Sequence, residues 1–117
     1  TSVSQKVYCL SSEQRRYLHL AAVFACNFVN HCYAIACDLL KMNDIPFEVI
    51  YPLIDETARK VHVMSPEQAQ TGPAVRYDRN VIAKHSEMLQ HNQIVREVYD
   101  KMSISINHKE KQIHDKL

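Results

Sequence analysis

An all-α fold is what this sequence predicts: a helical bundle around one long central helix. Three observations carry the prediction. Between about Ser12 and Lys41 there is neither Pro nor Gly, so 30 residues are free to form one helix of roughly 45 Å at 1.5 Å per residue. The 117 residues contain a single glycine, Gly72, and no βαβ alternation, which leaves little to build a sheet and its turns from. The remaining apolar residues recur at helical spacing between recognisable start and stop signals.

Each element follows in order. Residues 1–10 alternate weakly through Val3, Val7 and Tyr8 and are read as an extended lead-in. Ser11 and Gln14 stand in capping-box spacing, with Glu13 in the first turn, and open the long helix. Its middle, LHLAAVFACNFVNHCYAIACDLL, is apolar almost all round, as in a helix buried on several sides, and its small residues Ala21, Ala22, Ala25, Cys26, Cys32, Ala34, Ala36 and Cys37 suit close approach by other helices. Asn43 and Asp44 suit a turn. A second helix is expected from Pro46 to Met64, with Pro52 kinking it or forcing a fresh start. Ser65 and Pro66 open a third that Gly72 and Pro73 cut short. Asp78 is the expected N-cap of a fourth, and a fifth is expected over 93–106, followed by a fraying polar tail at 107–117.

Composition narrows the function. With 14 Lys and Arg against 13 Asp and Glu, the net charge of +1 gives no polyanion footprint, so nucleic-acid binding is not expected. No run of 18 apolar residues is present, and Asn27, Asn30 and His31 interrupt the apolar stretch, so no membrane association is expected. Cys9, Cys26, Cys32 and Cys37 are spaced 17, 6 and 5 apart with no CxxC pair. Three of them fall within the long helix, where they read as small buried residues of a reducing, cytoplasmic protein. None of the seven histidines forms the i, i+4 pair of a helical zinc motif, so no metal site is expected. The chain opens on Thr1 without an initiator Met and is expected to be a fragment.

Two constellations carry chemistry. On a uniform helix, His19, Cys26, Asn30 and Cys37 return to one stripe, with Asn27 about 80° from His19. This strip faces a substrate or hydrogen-bonds within a bundle, and spacing leaves both readings open. The stretch QTGPAVRYDRNVIAKH, from Gln70 to His85, places the one glycine between Thr71 and Pro73. Gly72 permits a positive φ or a close approach, Asp78 caps the next helix, and Arg76 sits beside that helix's positive end, suited to a carboxylate or phosphate. The same residues also suit a structural turn in which Arg76 and Asp78 pair with each other or cap helices.

These segments, YLHLAAVFACNFVNH, PLIDETARKV and QTGPAVRYDRNVIAKH, resemble the C-terminal helical domain, of unknown function, of Rossmann-like NADP oxidoreductases. The family pattern falls on His19, Ala21, Ala22, Asn27, Thr71, Gly72, Pro73, Arg76, Asp78 and His85, and the resemblance reaches to about Ile106. Tyr77 departs from it, because glycine is common there. The resemblance implies a fold similar to the C-terminal domains of 6-phosphogluconate dehydrogenase and pyrroline-5-carboxylate reductase. It further implies an N-terminal Rossmann domain that binds NADP, a homodimer, and a small-molecule substrate in a cleft lined by His19 and Asn27 opposite the Gly72 loop. In that reading His19 transfers a proton, Asn27 and Thr71 orient a carbonyl or hydroxyl, Arg76 holds an anionic group, Asp78 belongs to the same site, and His85 supports the loop. With one glycine this chain cannot form a GxGxxG turn, so NADP is expected to be bound outside it. The expected function is the substrate-binding and dimerisation domain of an NAD(P)-dependent oxidoreductase. The alternatives are a non-catalytic dimerisation or ligand-sensing scaffold of the same fold and, further off, a free-standing helical interaction protein.

Overall fold

The computed structural model describes residues 9–115, and the extended lead-in expected at the N-terminus lies outside them except for Cys9 and Leu10. The fold is all-α, with no strand among the described residues. It divides into two compact units, one running through Val49 and one starting at Ile50.

The first unit is dominated by α1, Ser12–Lys41, a continuous helix of 30 residues. Ser11 and Gln14 form the expected capping box, the Ser11 hydroxyl accepting from the Gln14 amide at 3.1 Å and the Gln14 side chain accepting from the Ser11 amide at 2.9 Å. The helix is not uniform. Its stretch Val23–Phe28 is a π-helical turn between α-helical segments Ser12–Ala22 and Val29–Lys41. The i→i+5 bonding of a π turn places more residues in a turn than 3.6, so angles computed on a regular helix fail across it. Inside it the Phe24 and Phe28 rings meet edge to face with centroids 5.0 Å apart.

No residue of α1 is buried within the chain. The expectation of a helix covered on several sides is therefore not met by these residues, and Cys26 and Cys32 are exposed where buried cysteines were expected. Tyr17, Leu18, Leu20, Phe24 and Phe28 all lie open. By length and composition α1 is also apolar enough over 18 residues to cross a membrane, although no unbroken apolar run exists. Its end is made by a turn in which Asp44 takes a φ of 55°, a conformation that Asp tolerates better than most residues.

In the second unit Pro52 forces the fresh start. A 3₁₀ turn, Phe47–Ile50, precedes α2, Tyr51–Val63, which carries Pro52 in its first turn, where a missing N–H costs nothing. Ser65 and Gln68 form a second capping box for the short α3, Pro66–Ala69. Then comes the Gly72 loop, α4 (Arg79–Met88) and α5 (Gln93–Asp115). The last helix does not stop at Ile106. It continues through the segment expected to fray, and Lys109 there pairs with Glu67 of α3 at 3.1 Å.

The buried residues gather in this unit: Ala74, Ile82 and Leu89, with the hydroxyls of Ser86 and Ser103. Both hydroxyls are satisfied, as buried polar groups must be. Arg96 Nε donates to Ser86 Oγ at 2.9 Å, and Ser103 hydrogen-bonds Tyr99.

Candidate functional site

The Gly72 loop answers the question of why a helical chain keeps one glycine there. Gly72 has a φ of 104°, and a Cβ added to it would meet nothing within 4 Å. The requirement is thus one of backbone conformation and not of close approach. A short series of turns follows: the Val75 amide donates to the Gly72 carbonyl, Tyr77 to Ala74, and Asp78 to Pro73 at 2.8 Å. Tyr77 takes a φ of 51°, the left-handed region, at the position where glycine is common in the resembling family. The loop shape is therefore reached with tyrosine, at the expense of local backbone strain.

Asp78 caps α4 as expected, its Oδ1 accepting from the Val81 amide at 3.3 Å. The expected alternative, a pair between Arg76 and Asp78, is not formed. Arg76 is exposed and, among the described residues, makes no ion pair or side-chain hydrogen bond. Thr71 is also exposed, its hydroxyl unbonded among the described residues, while its carbonyl accepts from Gln70 Nε2 at 3.0 Å. The loop therefore presents a guanidinium and a hydroxyl that have no partner among the described residues, with Arg76 three residues before the start of α4.

His85 is tied to α5 and not to the loop. Its Nδ1 lies 2.8 Å from the Tyr99 hydroxyl, and the rings meet at 90°. Burial pushes the Tyr99 phenol above its ordinary value, against a smaller opposing effect of the Ser103 hydrogen bond.

His19 and Asn27 belong to α1 in the first unit. Both are exposed, and neither makes a side-chain hydrogen bond among the described residues. The regular stripe of His19, Cys26, Asn30 and Cys37 is broken, because Cys26 and Asn27 lie within the π turn and Asn30 and Cys37 beyond it. Sequence reasoning missed that turn, since VFACNF contains no Pro, Gly or other announced irregularity. Among the described residues no group of three or more His, Cys, Asp or Glu is placed to hold a metal ion. Among the described residues there is no strand, and Gly72 sits in an interhelix turn and not in a strand-to-helix phosphate turn.

An all-α domain with one long exposed helix and a glycine-hinged, arginine-bearing loop is the class that this geometry defines. The chain belongs to the family described as a domain of unknown function, DUF2520, whose model matches residues 1–106. Among solved structures it is similar to that of a "putative NADP oxidoreductase" from Bacteroides fragilis, at 56% identity and a TM-score of 0.84. The match covers 88% of this chain and 40% of that one, so the chain spans well under half the length of the protein it matches. No curated protein matches it.

Proposed function

We propose that this chain is the substrate-binding and dimerisation domain of an NADP-dependent oxidoreductase. The observation that carries the reading is the exposed Arg76 guanidinium on the Gly72 loop, which has no ion pair or side-chain hydrogen bond among the described residues. On the Gly72 loop, Arg76 binds an anionic group of a small-molecule substrate and Thr71 orients its carbonyl or hydroxyl; on α1, His19 and Asn27 are the candidate residues for proton transfer and orientation. Gly72 and Asp78 hold the loop in shape. The similarity to an NADP oxidoreductase supports this reading. NADP itself is assigned to a Rossmann domain outside these residues.

The uncovered apolar surface of α1 supports homodimerisation, because large side chains such as Tyr17 (66% exposed) and Phe24 (58%) stay in water otherwise. Asn27, Asn30 and His31 near the middle of the helix favour a protein partner over lipid. The four free cysteines favour a reducing, cytoplasmic setting.

The test is titration of the full-length protein with NADPH and NADH by calorimetry, with this chain alone as control, followed by cofactor oxidation in His19→Ala and Arg76→Ala variants. Binding by the full-length protein alone, and loss of turnover in both variants, is the expected result. Turnover and ligand binding left intact in both variants would sink the residue assignment, and no cofactor binding at all would favour a non-catalytic scaffold.

A further inference from the structure

One face of α5 carries Arg96, Tyr99, Ser103 and Asn107, spaced three and four residues apart, which brings them over one another on a helix. The first three engage α4 or each other: Arg96 bonds Ser86, Tyr99 bonds His85, and Ser103 bonds Tyr99. Asn107 bonds the Gly72 loop, where its Nδ2 donates to the Val75 carbonyl at 3.2 Å across a separation of 32 residues. That carbonyl belongs to the peptide unit whose nitrogen is Arg76's own. Because the peptide is planar, holding its oxygen fixes the plane from which the Arg76 side chain departs.

The geometry points to Asn107 as a positioning residue that aims Arg76. The neighbouring residues agree with that role. Ala74 is buried at 6% exposure, so the loop is anchored on its inner side, whereas Arg76 points its charge outward. The Asn107 bond is part-buried, which shields it from competition by water. Asn107 lies one residue past the segment matched by the family model, in the stretch the sequence suggested would fray. The C-terminal half of α5 thus supports the loop that carries the anion-binding side chain.

This inference rests on the reading of Arg76 as an anion-binding residue, and the experiment separates the two. Inorganic phosphate is titrated into the full-length protein while the Arg76 Nε–H signal is followed by NMR, in the parent protein and in Arg76→Ala, Asn107→Leu, Asn107→Gln and Lys109→Ala variants. A calorimetric titration covers Arg76→Ala, which has no such signal. Asn107→Leu keeps the side-chain size without the donor and is expected to weaken phosphate binding about three- to tenfold, the equivalent of one net hydrogen bond. Faster exchange of the Arg76 and Tyr77 amides should accompany the loss. Asn107→Gln retains the carboxamide and is expected to restore part of the affinity. Lys109→Ala breaks only the exposed pair with Glu67 and is expected to leave affinity unchanged. Should Asn107→Leu fail to fold, Asn107→Ala takes its place with the same expectation. Parent-like phosphate affinity in the folded Asn107 variant, with binding lost in Arg76→Ala, would overturn the positioning role and leave Arg76's role standing. Unchanged affinity in Arg76→Ala would overturn both.

Discussion

The Asp78 carboxylate accepts a hydrogen bond from the Val81 amide at 3.3 Å, while Arg76, two residues earlier, makes no ion pair with it. This relationship separates the stability of the loop from its chemistry. Asp78→Ala removes a cap and should cost about 1 kcal/mol, measured by urea unfolding. Arg76→Ala, at an exposed position with no side-chain partner among the described residues, should stay within about 0.5 kcal/mol of the parent. Equal losses in the two variants would mean that the side chains are coupled in solution after all.

Gly72→Ala tests the backbone requirement. With nothing within 4 Å of the added methyl, the penalty arises from the φ of 104° alone. A destabilisation of about 1–2 kcal/mol is expected from that strain and no more, since no clash adds to it. A neutral result in thermal unfolding would show that the loop relaxes to another conformation.

Tyr99 gives a pH signature. Its folded-state pKa is raised, first by burial, so the native state holds the phenol proton more tightly than the unfolded chain does. The associated stability is present in full below the ordinary tyrosine value near 10 and is lost as pH rises through the folded value. Unfolding midpoints measured from pH 8 to 11 should therefore fall less steeply in Tyr99→Phe than in the parent. Parallel curves would remove Tyr99 as the source.

The surface of α1 predicts concentration dependence. If a second copy covers Phe24, then Phe24→Glu should shift the chain toward monomer in sedimentation velocity at micromolar concentration, and lower its melting temperature. A parent protein that sediments as a clean monomer would count against the dimer before any substitution is made.

Much of this molecule is legible locally. Ser11 with Gln14, Ser65 with Gln68, and Asp78 each announce a helix start through a side chain that reaches an amide three residues on, and all three act as caps. Pro52 offered two outcomes, and the 3₁₀ turn before Tyr51 shows the fresh start. The extension of α5 to Asp115 was missed because its polar composition suggests fraying. Long-range bonds from Asn107 and Lys109 hold it to residues far earlier in the chain.

The candidate site divides the same way. Apolar periodicity, caps and one glycine determined by themselves that the chain is helical, where the capped helices begin and that residues 70–78 must turn, because these depend on contacts within a few residues. Which group steadies the Val75 carbonyl is an outcome of competition among groups distant in the chain, and whether Arg76 pairs with Asp78 depends on the shape the loop takes in three dimensions. Only the tertiary structure decided those, because spacing along a chain fixes which partners are near in sequence and not which of them is better placed in space.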